Sequence, residues 1–248
     1  MHKLLSFCRQ LLVTLLLLAL LGLLLAGGYF AYEGHKLYEA AIQGTPISTL
    51  YETISSQENF VSYSELPQVY VDAVLSVEDQ HFAQHHGIDL TAIARAVLAD
   101  LRTGTAAEGG STITQQLAKN ELFTQEKHLA RKAAEIFAAF AIEKQYNKQQ
   151  IFEMYVNTIY FGSGYYGIGQ AAQGYFGVTP LQLSDAQAVM LAGLPNAPSA
   201  YSPNSSPELA LKRTQAVLKR MVENKKLSQE QADAIAADAA ALQVLAVQ

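Results

Sequence analysis

PQVYVDAVLSVEDQHFAQHHGID, residues 67–89, places Val71, Val74, Leu75 and Phe82 at helical spacing behind a proline suited to a first helical turn. It predicts a helix that ends at two adjacent carboxylates, Glu78 and Asp79, followed by a polar, histidine-rich turn. The same period recurs downstream. Ile93 to Leu101 repeats it and stops at Gly104, Ile113 to Phe123 follows, and His128 to Tyr146 sets Leu129, Ile136, Phe137 and Phe140 on one side. Ser184 with Gln187 and Ser228 with Gln231 are capping-box starts for helices reaching about Leu194 and Leu242. No strand-period segment of useful length and no internal repeat competes, so the predicted fold class is all-α.

Ahead of these helices, Leu11 to Tyr32 carries no charge. At ~1.5 Å per residue the run reaches about 33 Å as a helix, enough for a hydrocarbon core of roughly 30 Å. Lys3 and Arg9 precede it and Glu33 follows, so a single-pass anchor in the cytoplasmic membrane, N-terminus inside and catalytic domain on the extracytoplasmic face, is expected. A cleaved signal peptide is the competing reading, since Ala26, Gly27 and Gly28 are small, but the apolar run continues through Tyr29, Phe30 and Ala31. Glu33 to about Glu65 shows no sustained period and reads as a stalk. The expected organisation is a cytoplasmic tail 1–10, a transmembrane helix 11–32, a stalk 33–63, a catalytic domain 64–225 and a C-terminal helix 226–248. The one cysteine, Cys8, precedes the apolar run and has no partner for a disulfide. A net charge of −5 argues against a nucleic-acid binder, which needs a basic stripe.

Three clusters carry chemistry. In the first, Glu78, Asp79, Phe82, His85, Gly87 and Asp89, neighbouring carboxylates raise one another's pKa, a route to a general base; the plain alternative is a solvated helix end. His81 and His85 stand at i and i+4, but a helical zinc site wants Glu after the first histidine, where Phe82 stands, so buried hydrogen-bonding histidine is expected. The second cluster is GGSTITQQ, residues 109–116, extended by Leu117 to Asn120. Its glycines let backbone N–H groups approach a ligand, and its hydroxyls and amides suit phosphate or sugar oxygens. With a helix starting at Ile113, Gln115 and Lys119 fall one turn apart and make an anion site; the alternative is a capped surface loop with a snorkelling lysine. The third is Arg131, Lys132 and Glu135, where Arg131 and Glu135 are i,i+4 partners and either a surface ion pair or a phosphate-binding group. Gly162, Gly164 and Gly167 match G-x-G-x-x-G but follow a helical stretch, so they are read as turn residues. No SxxK occurs, which removes a penicillin-binding serine acyltransferase.

Taken together, VEDQHFAQHHGID, GGSTITQQLAKN, RKAAE, IFEMYVNTIYFGSGYYGIGQAAQGYFG and LSDAQAVMLAGLPNAPSAYSP resemble, in order and spacing, the peptidoglycan glycosyltransferase family, glycosyltransferase family 51, over roughly Ser64 to Val222. Without a transpeptidase domain the chain looks like a monofunctional member. The resemblance implies a lysozyme-like helical domain with a membrane-proximal jaw, and polymerisation of lipid II by inverting transfer of an undecaprenyl-diphosphate-linked chain to an acceptor 4-hydroxyl. It implies Glu78 as general base and Glu135 as helper of the departing diphosphate, directly or through a divalent cation, Mg or Mn; no organic cofactor is implied. Lys119, Arg131 and Lys132 map onto donor-diphosphate contacts, Ser111, Gln115 and Gln116 onto the same cleft, and Asp79 and Tyr160 onto supporting positions. The implied partners are lipid II, the lipid-linked glycan, the bilayer and other cell-wall synthesis proteins, with no nucleic acid. Gln80, His81 and Phe152 depart from the family's usual residues away from the chemistry. A non-catalytic envelope scaffold and a lytic glycosidase on a related fold are the rival readings, separated by whether lipid II is consumed or mature glycan digested.

Overall fold

The computed structural model describes residues 2–103, 109–124 and 128–246. The helices are α1 (His2–Gly44), α2 (Leu50–Ser55), α3 (Gln68–Glu78), α4 (Leu90–Thr103), α5 (Ile113–Leu122), α6 (Leu129–Gln145), α7 (Lys148–Thr158), α8 (Ile168–Phe176), α9 (Asp185–Gly193), α10 (Pro198–Tyr201), α11 (Pro207–Glu223) and α12 (Gln229–Ala246). Among the described residues, extended pairing is confined to one bridge between Tyr160 and Tyr166, so the domain is all-α. The helix stop expected at Gly104 lies outside the described residues.

The body is arranged around α7, in which every residue from Ile151 to Asn157 is buried. A helix apolar on one face leaves the other in water; one buried all round must satisfy its polar groups internally. Glu153 and Asn157, one turn apart, do so by gripping the chain that precedes α3. Glu153 accepts from Tyr51 Oη at 2.8 Å and from the Tyr63 N–H at 2.7 Å. Asn157 accepts from the Val61 N–H and donates to the Val61 carbonyl, both at 2.8 Å. With Leu50, Ile54 and Val61 also in the core, the segment expected to be a stalk is part of the globular body from residue 47 onward. It lacks a hydrophobic period because side chain to backbone bonds, rather than an amphipathic face, hold it.

The rest of the expected stalk continues α1. That helix runs unbroken to Gly44, and its Ser6–Gly44 portion is long and apolar enough to cross a membrane. Leucines 11 to 25 are each more than half exposed, whereas Gly34 is buried against α6. A Cβ on Gly34 would lie 2.5 Å from Ala133 Cβ and 2.8 Å from the Ala130 carbonyl oxygen, so only glycine lets the two helices approach this closely. Beside it the rings of His35 and Tyr38 sit 5.1 and 6.3 Å from that of Phe137. At the other end of the chain, Ala232, Ile235 and Ala239 of α12 are buried, closing the body around α9 and α11.

Candidate active site

Helix α3 delivers Glu78 at its last residue and Asp79 at its C-cap. Asp79, 6 % exposed, takes the N–H of Ile113 at 3.0 Å and His85 Nε2 at 2.8 Å. His85 Nδ1 accepts from the Gly87 N–H at 3.2 Å, which leaves Nε2–H to donate to the carboxylate. Asp79 thus ties the end of α3 to the start of α5 and sets Glu78 facing α5. There Gln116 Nε2 donates to Glu78 Oε2 at 2.9 Å. Glu78 Oε1 has no hydrogen-bond partner among the described residues, its nearest cation being Arg213 Nη2 at 3.9 Å. Burial pushes the Glu78 carboxyl above the usual carboxylate range; the Gln116 hydrogen bond and the Arg213 charge oppose this, Asp79 adds to it and Lys119 opposes it. Tyr70 and Tyr155 lie fully buried nearby, and burial together with the Glu78 charge holds both phenols well above their ordinary range.

The glycine-led loop is built around its threonine. Thr112 caps α5, accepting from the Gln115 N–H at 3.1 Å, while its hydroxyl donates to the Gly87 carbonyl at 2.6 Å. Gly110 packs on α4, where a Cβ would come within 3.3 Å of Ile93 Cα. The cap corrects one expectation. Gln115 does not line the cleft: it is 1 % exposed, and its Oε1 accepts from the Thr112 N–H at 3.1 Å, completing a capping box. The next residue, Gln116, meets Glu78 instead. One turn on, Lys119 is partly buried, and its pKa is lowered by burial against the pull of Glu135 and, more weakly, Glu78. Arg131 and Lys132 also depress it, so Lys119 lies in the field of both carboxylates and both cations.

Helix α6 packs against α5 and carries the second carboxylate. His128 caps it, its Nδ1 accepting from the Arg131 N–H at 3.1 Å. Glu135 is 1 % exposed and held by two cations: Lys132 Nζ at 2.7 Å from Oε2, and Arg131 Nε at 3.1 Å from Oε1, close but not aligned for a hydrogen bond. Lys132 Nζ also donates to Ser111 Oγ at 2.7 Å, joining α6 to the glycine-led loop. A cleft of about 280 Å³ opens beside Glu78, lined by Asp79, Gly109, Ser111, Arg213 and Arg220 among others.

Tyr160 is not brought to these groups. Its hydroxyl accepts from the Gly164 N–H at 3.3 Å and its ring stacks on Tyr166 at 4.8 Å, within the turn that follows α7. Gly162, Gly164 and Gly167, all at positive φ, shape that turn. His81 and His85 point to different carboxylates, His81 Nδ1 lying 2.6 Å from Asp89 Oδ2. Sequence reading missed Arg213 and Arg220 on α11 and Tyr155 on α7. For the arginines a signal was present: Pro207 and Glu208 open a helix on which residues 213 and 220 fall seven apart, on one face. Tyr155 had none, since an aromatic inside an apolar run reads as core.

A divalent ion at Glu135 does not fit the donor set. Both carboxylate oxygens face cations, and no group of three or more His, Cys, Asp or Glu that could hold a metal occurs among the described residues.

Residues 43–222 match the family model described as Transglycosylase. The chain belongs to the transglycosylase family. Among curated proteins this transglycosylase is similar to "Penicillin-binding protein 1A" of Aquifex aeolicus, 47 % identical over 183 residues, covering 73 % of this chain and 25 % of that protein. "Penicillin-binding protein 1A/1B" of Bacillus subtilis is 40 % identical over 225 residues, covering 86 % and 25 %. A crystal structure of Penicillin-Binding Protein 1A from Haemophilus influenzae aligns at 25 % identity and a TM-score of 0.43, covering 71 % of this chain and 17 % of that one. The transglycosylase thus spans about a quarter of the length of the curated relatives named here.

Proposed function

We propose that the chain polymerises lipid II into linear glycan, transferring the growing chain from its undecaprenyl diphosphate to the 4-hydroxyl of an acceptor lipid II. The observation that carries this reading is the contrast between two carboxylates that share the field of Lys119. One is a buried carboxylate with one oxygen free of hydrogen bonds, Glu78 Oε1; the other, the buried Glu135, holds Arg131 and Lys132.

Inversion at an anomeric carbon needs a base on one face and charge relief on the other. The acceptor hydroxyl gives its proton to the Glu78 carboxylate as its oxygen bonds to the donor's anomeric carbon. The bond from that carbon to the phosphate oxygen breaks, and its electron pair leaves with the diphosphate toward Lys119, Arg131 and Lys132. Glu135 anchors the last two cations, and Ser111, through Lys132, holds the loop against them. Arg213 and Arg220, which line the cleft together with Glu78, suit the anionic group of the incoming acceptor. The apolar part of α1 holds the enzyme in the bilayer that carries both substrates, with the catalytic body on the extracytoplasmic face and other cell-wall synthesis proteins as neighbours. Mature glycan has no diphosphate to lose, so the cationic cluster favours synthesis over lysis.

Purified protein in detergent should convert lipid II to polymer and release undecaprenyl diphosphate. Glu78→Gln should lower the rate by at least ~10²-fold at unchanged melting temperature. A Glu78→Gln variant that retains full rate would refute the base assignment, and digestion of finished glycan without lipid II turnover would refute the reaction. Since Glu135 is satisfied by cations, the same assay should keep its rate in the presence of a chelator.

A further inference from the structure

The base is held by a two-step relay. Tyr155 Oη donates to Gln116 Oε1 at 3.2 Å, and Gln116 Nε2 donates to Glu78 Oε2 at 2.9 Å. Three elements meet in it: α7 brings Tyr155, α5 brings Gln116 and α3 ends in Glu78. A side-chain amide has two nearly isosteric ends. With NH₂ toward the carboxylate it stabilises the anion; turned over, its oxygen would face the carboxylate and favour the protonated acid. Nothing in Gln116 itself chooses between these.

We propose that Tyr155 is a positioning residue for the catalytic base: its buried hydroxyl fixes the Gln116 amide so that the NH₂ faces Glu78 and keeps that carboxylate ready to accept a proton. Tyr155 is fully buried and stays protonated, so it has one proton to give, and it gives it to the Gln116 oxygen. The other groups acting on Glu78 do not set the amide. Asp79 is engaged by His85 and the Ile113 N–H, Arg213 donates through Nε to the Gly193 carbonyl at 3.0 Å, and Lys119 acts on Glu78 through its field alone. Tyr70, the second buried phenol, has no hydrogen-bond partner among the described residues and so orients nothing. Asp79, Arg213, Lys119 and Tyr70 all remain in a variant lacking the Tyr155 hydroxyl, so they cannot mask its loss.

The inference rests on Glu78 being the base, and the test separates the two claims. Tyr155→Phe removes one oxygen and keeps the ring. The acid limb of the pH–rate profile should then move up by about one to two pH units, with the rate recovering at higher pH. The sign follows from charge: losing a donor to the anion raises the Glu78 pKa, so the base is lost at a higher pH. Gln116→Met should shift the limb the same way, and the double variant should shift it no further than Gln116→Met alone. Titration of ¹³C-labelled glutamate carboxyls by NMR reads Glu78 directly, without turnover, and should move with the profile. If the single variants scale the rate equally at every pH, or their shifts add, Tyr155 is a packing residue and the relay is refuted. If the NMR pKa moves while the pH–rate limb stays put, the relay stands as geometry, but Glu78 is not the base and the proposal falls with that reading. A Tyr155→Phe protein that fails to fold leaves Gln116→Met to decide: no shift in its Glu78 titration overturns the proposal.

Discussion

Two glutamates of this chain live in opposite surroundings, which is the basis of the parts proposed for them. Glu78 is buried with one weakly placed cation and one amide donor, whereas Glu135 is buried against two cations. Replacing Glu135 by Gln leaves Arg131, 14 % exposed, without its counter-charge, while Lys132, 45 % exposed, is screened by water. A severe fall in kcat is expected for Glu135→Gln. Arg131→Ala should instead raise the KM for the donor about tenfold and weaken glycolipid inhibition in parallel, the loss of a charged hydrogen bond being worth roughly 1.5–3 kcal/mol. Steady-state kinetics over donor concentration check both, and an unchanged KM in Arg131→Ala would remove it from the diphosphate site. At this scale much was legible in the sequence. Glu78 and Asp79 announced themselves as adjacent acids at a helix end, and Arg131 with Glu135 as an i,i+4 pair. Gln115 and Gln116 were not told apart, although neighbours on a helix point about 100° apart. Thr112-x-x-Gln115 is itself a capping-box pattern, and it assigns Gln115 to the helix start and leaves Gln116 for Glu78.

Elements show where hydrophobic period succeeds and where it fails. The expected α3, α5, α6, α9 and α12 are present with ends within a few residues, because each buries one stripe or opens on a capping box. The expected stalk failed because α1 crosses from an apolar run into a mixed one without a break, and because Glu153 and Asn157 hold residues 51–63 by hydrogen bonds no local pattern encodes. The contact of α1 with α6 makes its own prediction. Gly34→Leu should force the helices apart and lower stability by about 1–3 kcal/mol, the usual cost of overpacking. Arg131 and Lys132 sit on the turn of α6 that Gly34 faces, so donor affinity should fall with stability. Thermal melts and donor titration test this; a variant with native affinity and melting temperature would show the contact to be incidental.

For the whole molecule, membrane helix and catalytic body are one continuous structure and not a domain on a tether. Removing residues 2–30 takes away the exposed leucines and should leave a folded, soluble body that still binds donor analogue in detergent-free buffer. Removing residues through Gly44 deletes the seam with α6 and should lower the melting temperature by several degrees, about 2–4 °C per kcal/mol at this size. Equal melting temperatures for the two truncations would show that the seam does not support the body. Fold class and site family could be read from the sequence because helix period and motif order are local or ordered signals. The seam could not: it depends on a glycine whose meaning appears only when its partner, 99 residues later at Ala133, is in place.

That glycine contact also bears on motion. An enzyme hinged at the bilayer surface could walk, leaning forward after each addition while the polymer stayed still. With α1 seated on the helix that carries Arg131, Lys132 and Glu135, there is no hinge at residue 34 to lean on. Under the proposed reaction the polymer would then do the travelling, its new end sliding past the body by one repeat after each bond.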